Sequence, residues 1–173
     1  HAQIPDQSGK TFVVTGGNSG IGYEAALVLA QKKAHVVLAC RSPQRAGDAL
    51  ASLKQAAPGA SVEVMQLDLA SLESVRAFAE AFRAAHPRLH GLLNNAGLMA
   101  LPYTKTADGF EMQLGTNHLG HFALTGLLLP TLLATEGSDS LASVTLIVPP
   151  SSPRCSGPIS SPSWKAKTKS GQP

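Results

Sequence analysis

Apolar residues in this chain come as short unbroken runs, separated at regular intervals by longer stretches rich in Ala, Leu and charge. Lys10 to Thr15 (Lys-Thr-Phe-Val-Val-Thr) is a β-branched run of strand length, and Tyr23 to Lys33 is helical in composition. The alternation continues with a strand from His35 to Ala39, a helix from Pro43 to Ala57, a strand from Ser61 to Leu67, a helix from Ser71 to Ala85 and a strand from Leu89 to Asn94. A long helix is expected from about Phe110 to Ala134, then a last strand from Ser143 to Val148. Strand-helix units of roughly 30 residues, with strands that do not alternate polar and apolar, predict an α/β fold: a doubly wound parallel sheet with helices on both faces. Ligands of such sheets bind beyond the carboxyl ends of the strands, where the strand order switches.

The first strand-to-helix turn carries chemistry. Thr15-Gly16-Gly17-Asn18-Ser19-Gly20-Ile21-Gly22 places three glycines in the spacing Gly-x-x-x-Gly-x-Gly. Glycine admits positive φ and lets a phosphate approach without meeting a Cβ, while free N–H groups and the dipole at a helix start favour an anion. Taken alone, the same residues also suit an ordinary turn.

Composition narrows the class. At 173 residues and 43% hydrophobic content, the chain is long enough to bury a core as one domain. No run of about 18 apolar residues occurs, and no charged-then-apolar leader pattern stands at the start, so the expectation is a cytoplasmic protein without a membrane span. Phe122 to Ala134, interrupted by Pro130, is expected to be a buried core helix, with Met99 also in the core. Cys40 and Cys155 offer no disulfide or metal framework. His118 and His121 lack a third ligand at suitable spacing, and His86 and His90 straddle Pro87, so no metal site is expected. The net charge of +3 resides in the tail, because residues 149–173 hold four basic residues and no acid. Lys165, Lys167 and Lys169 come with no nucleic-acid motif, and no nucleic-acid partner is expected.

Four separated motifs together resemble the short-chain dehydrogenase/reductase family: Thr15 to Gly22, Asp68 after the third strand, Asn94-Asn95-Ala96-Gly97 after the fourth, and Asn117 within Thr-Asn-His-Leu-Gly-His-Phe. Leu38-Ala-Cys-Arg41 and Asn117-His-Leu-Gly-His121 are most similar to its retinol-dehydrogenase and protochlorophyllide-reductase-like branch, over about residues 8–148. The resemblance implies a Rossmann-like fold holding a nicotinamide cofactor. By it, Gly16, Ser19, Gly20, Ile21 and Gly22 match the pyrophosphate turn, and Asp68 and Leu69 match the adenine contacts. Asn95, Ala96 and Gly97 match the segment along the adenosine, and Asn117 matches the asparagine of the family's proton relay. The residues alone leave other readings open: Asp68 as a charge at a helix start, Asn95 as a turn former, Asn117 as a polar residue satisfied between helices.

Cofactor choice follows from the second strand's end. A carboxylate there would take the ribose hydroxyls of NAD, whereas a 2′-phosphate needs positive charge. Cys40-Arg41-Ser42 carries no acid, so NADP(H) is expected over NAD(H), with Arg41 on the phosphate or, alternatively, as a solvated loop charge.

The family's hydride chemistry uses a tyrosine with a lysine four residues later, plus a serine. The residues four beyond Tyr23 and Tyr103, the two tyrosines present, are Leu27 and Ala107, and Pro149-Pro150 displaces Ser151 and Ser152 from the family geometry. From Pro149 the composition turns to Ser, Pro, Gly and Lys. Residues 1–148 are thus expected to form an incomplete cofactor domain and 149–173 a disordered tail. The expectation is that this tail stands in place of the family's remaining strands and catalytic helix, through altered splicing, a frameshift or a gene-model error. Self-association through the exposed fifth strand and long helix is then expected. Three functional readings follow: an oxidoreductase on small alcohols or carbonyls, a non-catalytic cofactor-binding or interaction protein, and a non-functional truncated product.

Overall fold

The computed structural model describes residues 4–135. Strands β1 (Thr11–Thr15), β2 (His35–Cys40), β3 (Ser61–Gln66) and β4 (Gly91–Leu93) form one sheet, all pairings parallel, in the order β3-β2-β1-β4. Helices α1 (Gly20–Gln31), α2 (Pro43–Ala56) and α3 (Leu72–Ala85) connect successive strands. A loop then leads to α4 (Met112–Leu114), a π-helical turn at Gly115–Leu119 and α5 (Gly120–Ala134). The expected strand at Ser143–Val148 and the tail from 149 lie outside the described residues. Among the described residues no helix is long and apolar enough to cross a membrane. The order runs outward from β1 through β2 and β3, then jumps back to β4. That jump is the topological switch, and it opens between β1 and β4.

Successive strand residues point to opposite faces, so the apolar runs supply two cores. Val13, Val37 and Ala39 pack with Val75, Phe78 and Phe82 of α3 and Leu124, Leu128 and Leu132 of α5. Val14, Val36 and Leu38 pack on the other face with Ala26 and Ala30 of α1 and Ala46, Ala49 and Leu53 of α2. Each fully buried Val, Leu or Phe side chain contributes about 1.5–3 kcal/mol, which makes these two layers the main source of stability.

Helix ends follow local chemistry. The hydroxyls of Ser42 and Ser71 accept from the N–H groups of Arg45 and Ser74, capping α2 and α3. Helix α3 ends ahead of Pro87, which disfavours helical geometry at His86. Helix α1 starts at Gly20, three residues before the expected Tyr23, because glycines form its first turn. A Cβ at buried Gly22 would collide with the Asn95 side chain and the Gly16 carbonyl, so only glycine seats α1 directly on the turn.

Three expectations are corrected. The long helix does not run evenly from Phe110: at the π turn the Gly120 N–H bonds to the Gly115 carbonyl, five residues back. The Leu-rich helix is half-buried, not a core helix all round. Leu124, Leu128 and Leu132, spaced at four, face inward, whereas Phe122 and Leu133 are 74% and 70% exposed. Met99 is likewise half-buried rather than in the core, being on the loop after β4.

One hydroxyl ties the carboxyl end of the sheet together. Buried Thr15, last in β1, accepts at Oγ1 from the N–H groups of Asn95 (2.9 Å) and Ala96 (3.0 Å), and lies 2.9 Å from His121 Nε2. His121 Nδ1 is 2.9 Å from the Asn117 carbonyl, which only accepts, so Nδ1 carries the proton and Nε2 accepts from Thr15. Both Thr15 lone pairs thus take backbone N–H groups, and its one proton goes to His121 Nε2, with the Leu93 carbonyl at 3.3 Å the longer alternative acceptor. Burial holds the His121 imidazole below its ordinary value, outweighing the Asn117 carbonyl that favours the charged ring. The neutral form this geometry requires is therefore the stable one.

Thr15→Val is expected to lower stability by about 1–3 kcal/mol, because it strands buried donors and an acceptor, with Thr15→Ser recovering most of the loss in denaturant unfolding. A Thr15→Val protein as stable as the parent would show that the hydroxyl is dispensable. Because the folded-state value of His121 lies below its unfolded one, its contribution is present above the unfolded value and is lost as pH falls from there through the lowered folded value. Between pH 7 and 5 the fall in Tm should be shallower in His121→Gln than in the parent, the remainder including His90, which burial also lowers. Gly120→Ala, whose Cβ would strike the Leu69 carbonyl, should cost about 1–3 kcal/mol by prising α5 from the sheet.

Candidate functional site

A crevice of about 500 Å³ opens beyond the carboxyl ends of the strands, at the switch between β1 and β4. Its floor is the turn after β1. Gly16 has φ +66° and Gly20 φ +55°, a region that glycine adopts without strain. A Cβ at Gly16 would lie 2.9 Å from the Cα of Ala96, so the turn rests directly on the segment after β4. Gly20 faces open space, with nothing within 4 Å of where its Cβ would be. Ser19 stands at the helix start without a side-chain cap, and the first turn of α1 carries no acid. Bare backbone, a helix N-terminus and open volume together fit an anionic group the size of a pyrophosphate.

Three other strand ends complete the walls. Cys40 ends β2, and Arg41, Ser42 and Arg45 follow it; Leu67, Asp68 and Leu69 follow β3; Asn95, Ala96, Gly97 and Leu98 follow β4. Both arginines are exposed at the mouth. Asp68 Oδ1 accepts from the Ala70 N–H at 2.9 Å, and the Asp68 N–H donates to Ser74 Oγ at 2.9 Å, which turns the carboxylate beside the crevice. Ser71 caps α3, and Asp68 stands three residues ahead of it. Asn95 is more than a turn former: its Nδ2 donates to the Thr15 carbonyl at 3.0 Å, bracing β1 against the segment after β4. Burial raises the Cys40 thiol, outweighing the Gly17 and Asn18 N–H groups that face it, so it stays a neutral thiol.

Ten of the eleven residues expected to hold the cofactor, Gly16, Ser19, Gly20, Ile21, Arg41, Asp68, Leu69, Asn95, Ala96 and Gly97, line this one crevice. Gly22 instead packs beneath it. Asn117 does not line it either: its Oδ1 accepts from the Leu98 N–H at 2.9 Å and its Nδ2 donates to the Leu98 carbonyl at 2.8 Å, clamping a residue that does. The π turn that carries Asn117 presents it to that backbone. Ser151 and Ser152 lie outside the described residues. His118 and His121 diverge, the first exposed against Phe122 and the second buried on Thr15. Arg45 was missed by the sequence reading. The signal is local: Ser42 caps α2, which sets Arg45 in the first helical turn on the same wall as Arg41.

Comparison with known proteins agrees with this geometry. The short chain dehydrogenase family model matches residues 10–145. Human retinol dehydrogenase 11 is 54% identical over 131 residues, covering 75% of this chain and 40% of that protein, and human retinol dehydrogenase 12 is 49% identical over 132 residues, covering 76% and 41%. The chain thus spans about two fifths of the length of the curated relatives it matches. Among solved structures, a Mycobacterium paratuberculosis protein superposes with a TM-score of 0.67 at 46% identity, covering 75% of this chain and 45% of that one. A short chain dehydrogenase from Escherichia coli CFT073, complexed with NADPH, superposes with a TM-score of 0.66 at 28% identity, covering 76% and 56%. The chain belongs to the short-chain dehydrogenase family, in its retinol dehydrogenase branch.

Proposed function

We propose that the crevice binds NADP(H) in preference to NAD(H), and that the chain serves hydride transfer between this cofactor and a small alcohol or carbonyl compound. The observation that carries the cofactor choice is the wall after β2, where Arg41 and Arg45 line the crevice and no carboxylate does. A guanidinium takes a phosphate bidentately, whereas a carboxylate there would repel it. The E. coli relative complexed with NADPH supports the reading. In this arrangement the glycine turn holds the pyrophosphate, Asp68 and Leu69 flank the adenine, and Asn95 to Gly97 run along the adenosine. Asn117 keeps the Leu98 segment in place, and the family's relay role is carried to it by its matching position. The bound cofactor would supply the hydride.

Proton delivery is the missing part. The 173 residues contain no Tyr-x-x-x-Lys, and Tyr103 is 74% exposed on the loop after β4. Residues 1–173 alone are therefore proposed to bind cofactor without turning it over, which makes this polypeptide by itself a cofactor-binding module. The open face of α5, with Phe122, Leu129 and Leu133, favours self-association of the same module.

Arg41→Asp is expected to lower NADPH affinity by at least about tenfold while NADH affinity holds or improves, since a charge-assisted phosphate contact becomes a repulsion. An unchanged NADPH/NADH affinity ratio would remove Arg41 from the site. Residues 1–173 mixed with NADPH and retinaldehyde should show no oxidation at 340 nm above the protein-free rate. Stoichiometric turnover would overturn the binding-only reading.

A further inference from the structure

At the opposite end of the sheet from the crevice, three side chains from three elements converge. His35 opens β2, Glu63 lies in β3, and His86 follows the last residue of α3. His35 and Glu63 share a sheet face because His35 pairs with Ser61, two residues before Glu63, and α3 covers that face. His35 Nε2 is 3.0 Å from Glu63 Oε1, and His86 Nε2 is 2.6 Å from the same oxygen. The ligand atoms of the three residues all lie within 4.8 Å of one another. Their distance from the cofactor is large: β2 alone separates His35 from Arg41, about 20 Å of extended chain.

We propose that His35, Glu63 and His86 form a binding site for a divalent transition-metal ion of the zinc class. Two observations besides proximity carry this. The first is the arrangement around His35, whose Nδ1 is 2.6 Å from Ser61 Oγ. A hydroxyl on one ring nitrogen fixes the ring and leaves the other for a ligand, the usual outer-shell support of a metal-binding histidine. The second is His86 Nε2, which is buried, sits against a carboxylate oxygen and makes no hydrogen bond there. A buried ring nitrogen in that position calls for a cation that both groups can share.

The donor set is chemically selective. Two imidazoles and one carboxylate suit zinc and its neighbours, with water in the fourth position, whereas magnesium and calcium prefer oxygen donors. Bonds of about 2.0–2.2 Å put tetrahedral ligand atoms about 3.3 Å apart, so the two Glu63–histidine distances must open slightly. Glu63 is half-exposed and free to make that adjustment. The occupied site would join the end of α3 to β2 and β3, at the edge of the sheet, and would act on stability rather than on the cofactor crevice.

The test uses metal-stripped residues 1–173 titrated with Zn²⁺ against a competing chelator, alongside Co²⁺ absorption. The expected result is one saturable site with a Tm rise of at least about 3 °C, no response to Mg²⁺, and tetrahedral cobalt absorption without thiolate charge transfer. Glu63→Gln and His86→Gln should each weaken zinc at least about tenfold, while His118→Gln should not, and NADPH binding should be unchanged in all three. Equal zinc affinity in the parent, Glu63→Gln and His86→Gln would overturn the proposal. So would a thiolate charge-transfer band or the absence of saturable binding in the parent, neither of which depends on a variant folding.

Discussion

The hydroxyl of Thr15 is the contact on which the cofactor end of this domain depends. It stands where β1 ends and the glycine turn begins, and its hydrogen bonds join that strand end to two other segments. Two of those bonds hold the Asn95–Ala96 backbone, and the third reaches His121 on α5. The segment after β4, the turn after β1 and the last helix are thereby set relative to one another before any ligand arrives. A site built on bonds between rigid elements needs little reorganisation on binding, which lowers the entropic cost of association.

Glycine supplies the complementary constraint. Gly16 and Gly22 bring the turn, α1 and the Asn95 side chain closer than any other residue would permit, and Gly120 does the same for α5 against Leu69. The close approach and the hydrogen bonds reinforce each other: the Asn95 amide that a Cβ at Gly22 would strike is the group that donates to the Thr15 carbonyl. Positive charge is kept away from this packed centre and placed at the mouth, on exposed Arg41 and Arg45. In the proposed binding mode, shape at the floor and charge at the rim divide the work of recognising a nucleotide. The far end of the sheet carries its polar cluster independently, on residues that share no contact with the crevice.

Much of this was legible in the sequence because it is local. A β-branched run, a glycine turn and an Ala-rich helix identify themselves by spacing, and the order of β1 to β4 with α1 to α3 is as the pattern predicts. The same holds for Asp68 and Asn95, whose positions after strand ends bring them to one crevice in any doubly wound sheet. What escaped the sequence is set by three-dimensional neighbours. The π turn at Gly115–Leu119 leaves no compositional trace, and the exposure of Phe122 and Leu133 is hidden in a helix that is apolar all round. The convergence of His35, Glu63 and His86 depends on strand register and on where α3 ends, which spacing along the chain does not reveal. Arg45 was within reach of sequence reasoning, one capped helical turn beyond Arg41.

One preformed crevice, braced by Thr15 and floored by the glycine turn, is the proposed seat of the nicotinamide cofactor. Amide hydrogen exchange of the chain with and without saturating NADPH tests it most directly. Cofactor in this crevice should slow exchange in residues 16–22, 40–45, 67–69 and 95–98 and leave His35, Glu63 and His86 and their neighbours unaffected. Uniform protection across the sheet, or protection that spares the glycine turn, would contradict it.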